Sequence, residues 1–175
     1  MIRHPFPPLC DENSKVLVLG SFPSVKSREQ QFFYGHPQNR FWKVIAAVFE
    51  RPVPATIEEK RALLLGCGIA VWDVIASCDI TGSSDSSIKN VTANDLRQIL
   101  DRADIRQIFV NGKTAEKYYN KYIRPVLGRD AVCLPSTSPA NAAWSPERLT
   151  EAWMQVRLAA GEAIENASAG SPGRR

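Results

Sequence analysis

The chain has 175 residues, of which 44% are hydrophobic and 23% charged, with a net charge of +4. These values are ordinary for a soluble globular protein and predict one domain with its own core, or at most one domain plus a tail. No apolar run approaches the roughly 20 residues of a membrane helix, and the N-terminus lacks the apolar stretch of a secretory signal. We therefore expect a cytoplasmic, nucleoid-associated or otherwise intracellular protein without a membrane partner.

Four short apolar runs predict the strands of a sheet. Each is almost continuously hydrophobic, as in parallel sheets that are covered on both faces. In chain order they are Val16–Gly20, Ile69–Asp73, Arg106–Asn111 and Ala131–Leu134.

Helical patterns lie between and after these strands. They comprise an apolar stripe over Asn39–Glu50, a capping box at Thr56 whose helix ends near Gly66, a cap at Thr92–Asp95, a pattern over Lys113–Tyr122, and a helix opened by Ser145 and Pro146. Strands that alternate with helices predict an α/β fold, here a three-layer αβα arrangement with a central, mainly parallel four-stranded sheet. Residues 1–160 are expected to form this single domain, and residues 161–175 a flexible tail.

Ligands of such folds bind beyond the carboxyl ends of the strands. After the first strand come the motif GSFPS and a long loop that contains FFYGHPQNRFW. Aromatic faces can stack on bases, and cations can hold phosphates. Phe41 and Trp42 continue the helical stripe and are expected in the core. For Phe32, Phe33 and Tyr34, a place in the core and contact with a ligand are equally consistent with the pattern.

The third predicted strand ends in Asn111, followed by Gly-Lys-Thr. A phosphate-binding P-loop needs a glycine five positions before Gly112, and that residue is Gln107. NTP hydrolysis is therefore excluded. The Asn111 amide could hydrogen-bond the edge of a base or support the turn into Gly112.

Two further loops follow predicted strands. Leu134–Ala142 is rich in proline and small polar residues, so it could follow a DNA backbone closely or be a plain connection. The serine-rich loop after the second strand could hold Asp85 near the site or leave it exposed to solvent.

Positive charge is concentrated in two segments, residues 15–43 and 113–129, each with five basic residues against one acidic residue. The remainder of the chain is net negative. This distribution is what a phosphate-facing surface requires, although a solvated helix face would also explain the second segment.

Metal sites and common hydrolase sites are poorly supported. The cysteines at positions 10, 67, 78 and 133 include no CxxC pair, so zinc or iron–sulfur ligation is not expected. There is no GxSxG motif, and His4 and His36 are the only histidines. We expect neither a metal nor an organic cofactor.

Over roughly residues 14–160 the chain resembles the uracil-DNA glycosylase superfamily. The motifs that carry this resemblance are GSFPS, the long loop FFYGHPQNRFWKVI and the segment LPSTSPAN. The branch that the chain resembles most is that of the hypoxanthine (deoxyinosine) DNA glycosylases. The segment HPQNRFWKVI is also similar to the mismatch-specific thymine/uracil glycosylases. The resemblance implies a monofunctional enzyme that flips a deaminated base, above all hypoxanthine, out of DNA and hydrolyses its N-glycosidic bond, which starts base excision repair. We expect it to act as a monomer.

The chain departs from most of the superfamily at two positions. An Asp or Asn usually handles the attacking water in the first motif, and a His or Asn usually opens the second; here Phe22 and Leu134 take these places. Both departures agree with the hypoxanthine branch, in which the important polar residue is implied to be the asparagine of the HPQNRFW segment. We therefore expect Asn39 to be catalytic, orienting water or hydrogen-bonding the base.

The remaining site residues are expected to bind the flipped base or the DNA backbone. For the base they are Phe22, Phe33, Asn111 and Ser21, and for the backbone Arg40, Lys113, Ser136, Thr137 and Ser138.

Three alternatives remain at this point. The apolar residues Phe22 and Leu134 slightly favour a non-catalytic nucleic-acid-binding module on the same fold, whereas Asn39 in an otherwise intact motif favours an enzyme. A glycosylase directed at uracil or at mismatches is the second alternative. A hydrolase of free nucleosides is the third, but it would not need the two basic segments.

Overall fold

A computed structural model describes residues 1–161 of the chain. The strands in this range are β1 (Ile2–Arg3), β2 (Val16–Gly20), β3 (Ile69–Asp73), β4 (Ile75–Asp79), β5 (Lys89–Ala93), β6 (Gln107–Asn111) and β7 (Ala131–Leu134). The α-helices are α1 (Val25–Gln30), α2 (Phe41–Phe49), α3 (Ile57–Gly66), α4 (Arg97–Leu100), α5 (Lys113–Tyr118), α6 (Arg124–Leu127) and α7 (Pro146–Ala159). A π-helical segment, Tyr119–Ile123, joins α5 to α6. The predicted tail lies, from residue 162 on, outside the described residues.

The main sheet has four parallel strands in the order β3-β2-β6-β7. Every residue of β2 and β3 is buried, because these strands are covered on both faces. The predicted α/β fold with a parallel four-stranded sheet is confirmed, and the predicted strands differ from the observed ones by at most one residue, at the start of β6.

The helices flank this sheet. Helix α2 packs against α7, where the rings of Phe41 and Trp153 meet edge to face at 5.9 Å. Phe41 and Trp42 are buried, as expected. The capping box at Thr56 opens α3, and the Ser145 hydroxyl caps α7. None of the described helices is long and apolar enough to cross a membrane.

A second, antiparallel sheet with the order β1-β4-β5 was not predicted. Strand β4 follows β3 after a single residue, and β5 carries mostly polar, exposed side chains, so neither shows a pattern of burial in the sequence. The predicted helix cap at Thr92 is wrong, because Thr92 lies in β5. Asp95 instead accepts the hydrogen bond of the Arg97 backbone N–H at the start of α4.

Candidate active site

A cavity of about 1000 Å³ opens at the carboxyl end of the parallel sheet. Gly20 pairs with Asp73 at the ends of β2 and β3, and Asn111 pairs with Leu134 at the ends of β6 and β7. All four residues line the cavity. The cavity therefore lies where ligands bind in open α/β sheets.

Nine of the ten residues predicted for the site line this cavity. They are Ser21, Phe22, Phe33, Asn39, Asn111, Lys113, Ser136, Thr137 and Ser138. The tenth, Arg40, borders a separate groove between α2 and α7. The fold thus brings together residues from the first motif, the long loop, the end of β6 and the loop after β7.

Asn39 lies two residues before the first residue of α2, and its two amide atoms have different roles. Its Oδ1 accepts the backbone N–H of Phe41 at 2.9 Å, which fixes the side chain at the start of the helix. Its Nδ2 has no hydrogen-bond partner among the described residues and belongs to a side chain that lines the cavity. Asn39 is therefore oriented by its oxygen and offers an N–H donor to whatever occupies the cavity.

Asn111 uses its amide within the protein. Its Nδ2 donates to Tyr34 Oη at 3.2 Å and to Thr137 Oγ1 at 3.0 Å, while its Oδ1 accepts the Thr137 N–H at 3.1 Å. The hydroxyl and backbone of Thr137, which is fully buried, are thereby held against the end of β6. These contacts join Asn111 to the loop after β7 and not to the turn into Gly112, and the hydrogen bond to the edge of a base stays a prediction.

Arg40 holds the loop that follows β7. Its guanidinium donates to the backbone carbonyls of Trp144, at 2.5 Å, and of Asn141, at 2.9 Å. The backbone N–H of Arg40 donates to the carbonyl of Thr137 at 3.0 Å. The guanidinium bonds direct the Arg40 side chain to the loop backbone instead of into the cavity.

Replacing Arg40 by alanine is expected to lower the free energy of unfolding by about 2 kcal/mol, because hydrogen bonds from a charged donor to partly buried carbonyls are lost. Urea unfolding monitored by fluorescence measures this change. Lys43→Ala, which removes an exposed cation from the same helix, is the matched control and should leave stability nearly unchanged. Equal stability of Arg40→Ala and Lys43→Ala would contradict the role of Arg40 in holding the loop.

The aromatic residues of the long loop divide between core and cavity. Phe32 and Phe33 are buried, and the Phe33 ring meets Phe6 edge to face at 4.8 Å, so it contributes only to the cavity wall. Tyr34 stacks on Phe41 at 4.0 Å and lines the cavity. Phe22 is half-buried, which leaves it as the more open phenyl ring at the site.

Gly112 allows the loop after β7 to lie close to the turn between β6 and α5. Its φ is +94°, and a Cβ there would lie 2.9 Å from the Cβ of Ser136.

On another part of the wall, the serine-rich loop is tied to α1, since the Val25 N–H donates to Ser83 Oγ at 2.9 Å. Asp85 in that loop lines the cavity, which answers a question that the sequence left open.

Sequence reasoning missed Asp73, which lines the cavity, and His4, which packs against Asp73. The His4 Nε2 lies 2.7 Å from Asp73 Oδ2, and the two side chains are 4% and 6% exposed, respectively. Asp73 carried a signal, because an acidic residue ended an otherwise apolar buried strand. The sequence around His4 gave no such signal, because His4 reaches the core only through the pairing of β1 with β4.

Metal-binding side chains do not gather in the described part of the chain. No group of three or more His, Cys, Asp or Glu residues between residues 1 and 161 could hold an ion. The cysteines at positions 10, 67, 78 and 133 are free thiols.

Comparison with known proteins identifies relatives of this chain. The family model described as the uracil DNA glycosylase superfamily matches residues 7–158. A protein named hypoxanthine DNA glycosylase from Methanosarcina acetivorans is 35% identical over 161 residues, covering 89% of this chain and 98% of the relative. A protein of the same name from Methanosarcina barkeri is 31% identical over 143 residues, covering 81% and 89%. A solution NMR structure of a candidate uracil DNA glycosylase from M. acetivorans superposes with a TM-score of 0.77 at 33% identity, covering 91% of this chain and 99% of that one.

Proposed function

Because the chain belongs to the uracil DNA glycosylase superfamily, we propose that it is a monofunctional DNA glycosylase that excises hypoxanthine from deoxyinosine sites and thereby starts base excision repair. The observation that carries this proposal is the free Nδ2 donor of Asn39 in a cavity of about 1000 Å³ beyond the sheet. Two relatives that bear the name hypoxanthine DNA glycosylase support the choice of base. A DNA substrate also agrees with the intracellular location expected from the sequence.

The reaction requires the damaged nucleotide to leave the stack and enter the cavity. Unpairing costs a few kcal/mol and is cheapest for a mismatched or damaged base. We assign the stacking contact to Phe22, since the Phe33 ring is already packed in the core. Ser21, next to Phe22, completes this part of the wall.

Bond cleavage then depends on stabilising the departing base. The transition state resembles an oxocarbenium ion, by analogy with other glycoside hydrolyses, so negative charge develops on the base. An N–H donor such as Asn39 Nδ2 stabilises that charge at O6 or N7, or orients the attacking water. Asn39 cannot ionise and is no general base, so the proposed catalysis consists of positioning and electrostatic stabilisation.

Backbone contacts are assigned to the rim of the cavity. Lys113 is exposed there, and Ser136 and Ser138 lie on the neighbouring loop. Thr137 and Arg40 are engaged in hydrogen bonds within the protein, so we propose that they contribute by shaping this loop.

Lys113→Ala is expected to reduce the slope of log affinity against log salt by about 0.9, because one phosphate contact releases about that many counterions. Fluorescence anisotropy with an undamaged duplex at several salt concentrations measures the slope. Lys89→Ala, at an exposed lysine of β5 outside both basic segments, serves as the control. An unchanged slope in Lys113→Ala would remove this lysine from the DNA interface.

Labelled duplexes containing hypoxanthine, uracil or xanthine, incubated with the protein and then treated with alkali, test the proposed function. Strand scission at hypoxanthine is the expected result. Scission at uracil alone would instead indicate a uracil-directed glycosylase. Tight binding without scission at any lesion would indicate a non-catalytic DNA-binding module and would overturn the proposal.

A further inference from the structure

The floor of the cavity contains a buried carboxylate with one oxygen that is not engaged. The Asp73 side chain is 6% exposed, and its Oδ2 lies 2.7 Å from His4 Nε2. Its Oδ1 has no hydrogen-bond partner among residues 1–161, although the side chain lines the cavity. Oδ1 is not among the buried polar atoms that lack a partner, so it is accessible from the cavity and a donor of a bound ligand can reach it.

The space in front of this oxygen is kept open by Gly20. A Cβ on Gly20 would lie 2.5 Å from Asp73 Oδ1 and 3.1 Å from Tyr34 Oη. The carboxylate oxygen and the phenol oxygen therefore border the same small space. Any side chain at position 20 would fill it.

Tyr34 supplies a hydrogen-bond donor to this space. Its Oη already accepts the Asn111 Nδ2 donor at 3.2 Å, which leaves the hydroxyl proton for another acceptor. Burial, together with the negative charge of Asp73, raises the pKa of Tyr34 well above its usual value, so the hydroxyl keeps its proton. Stacking on Phe41 at 4.0 Å holds the ring in place.

His4 fixes the orientation of the carboxylate. Its Nδ1 is buried without a hydrogen-bond partner, so a proton at Nδ1 would be unpaired. A carboxylate oxygen can only accept, so the 2.7 Å contact between His4 Nε2 and Asp73 Oδ2 requires the proton on Nε2, which donates. The other carboxylate oxygen, Oδ1, is thereby left as an acceptor.

We propose that Asp73 Oδ1 and Tyr34 Oη together read the lactam edge of the flipped base. The ring N1–H of hypoxanthine would donate to Asp73, and its O6 would accept from Tyr34. Adenine presents N1 as an acceptor, which the carboxylate repels. His4 and Asn111 act as positioning residues for this pair. The inference rests on the proposed function and adds to it the chemical feature by which the substrate is recognised.

The pair selects a class of bases and not hypoxanthine alone. Uracil and xanthine carry the same N–H beside a carbonyl, so the pair is compatible with them as well. Guanine also has this edge, but its pairing with cytosine keeps it in the stack, where base flipping is more costly.

Single-turnover excision of deoxyinosine and of deoxynebularine, in the same duplex, tests the pair. Nebularine lacks both O6 and the N1–H, and any intrinsic difference between the two leaving bases cancels when variants are compared with the wild type. In Asp73→Asn, His4 would hold the amide oxygen and leave the NH2 group facing the base. We expect the ratio of the hypoxanthine rate to the nebularine rate to fall about 10- to 100-fold, the equivalent of one hydrogen bond to a charged group.

Tyr34→Phe keeps the stacked ring and removes only the hydroxyl. It is expected to slow hypoxanthine excision about 10-fold and to leave nebularine excision unchanged. Thermal melting shows whether Asp73→Asn folds. If it does not, Tyr34→Phe, which leaves the carboxylate in place, tests the proposed pair by itself. Asp101→Asn, at an exposed carboxylate after α4, is the control for loss of negative charge.

The outcomes separate this inference from the proposed function. If the wild type excises hypoxanthine but the folded variants keep the wild-type ratio of hypoxanthine rate to nebularine rate, the lactam-reading pair alone is overturned. Absence of excision by the wild type on every lesion would overturn the proposed function and, with it, the pair.

Discussion

The Asn39→Ala variant is expected to excise hypoxanthine about 100- to 1,000-fold more slowly than the wild type in single-turnover assays, the usual consequence of removing one donor that stabilises developing charge. The free Nδ2 of Asn39 is a donor held in the cavity by the bond between Oδ1 and the Phe41 N–H. Alanine removes both the donor and the bond at the start of α2, so a second variant is needed to separate the two effects.

Asn39→Asp provides that separation. A carboxylate can still accept the Phe41 N–H at the start of the helix, but it cannot donate a hydrogen bond. We expect Asn39→Asp to melt near the wild-type temperature and to be as slow as Asn39→Ala. Gln38→Ala, at the exposed neighbouring position, should keep full activity. Activity of Asn39→Asp close to that of the wild type would contradict the donor role and favour activation of water by the oxygen of this side chain.

Gly20→Ala should also reduce excision about 100-fold, because a shift of about 1 Å in a catalytic arrangement has effects of this size. Its Cβ would lie 2.5 Å from Asp73 Oδ1, so the carboxylate must shift although its other oxygen lies 2.7 Å from His4 Nε2. The same crowding is expected to lower the free energy of unfolding by about 1–3 kcal/mol. Single-turnover kinetics and urea unfolding of the same preparation measure both effects.

The chain offers a matched control in Gly66, the last residue of α3. A Cβ at Gly66 would meet no atom within 4 Å, and alanine favours a helix over glycine by up to about 1 kcal/mol. Gly66→Ala should therefore be fully active and at least as stable as the wild type. Full activity of Gly20→Ala would show that the space in front of Asp73 is not used by the substrate.

The Asn39 and Gly20 predictions concern different polar groups of one cavity. Phe22 and Leu134 stand where much of the superfamily is expected to carry polar residues, and Leu134 is fully buried beneath the cavity. Asn39 and Asp73 come from other parts of the chain, at the start of α2 and the end of β3. We therefore propose that the polar chemistry of the site lies on the long loop and on a strand end instead of on the two motif positions.

The sequence by itself determined the parallel sheet, the main helices and the family. Continuous apolar runs define strands that are buried on both faces, and caps such as Thr56 and Ser145 act through neighbouring residues, so these signals are local. The family motifs are likewise continuous stretches of chain. The strands β4 and β5 had no such signal, because exposed polar residues dominate β5 and a single residue separates β4 from β3.

Only the tertiary structure decided which polar atoms are available at the site. Asn111 and Arg40 have side chains suited to a base and a phosphate, but their partners are Thr137 and the backbone of the loop after β7. His4 meets Asp73 across 69 positions of the chain. A hydrogen bond is satisfied by whichever group the fold brings within about 3 Å, so residue type indicates what a side chain can bind, and its neighbours in space determine what it does bind.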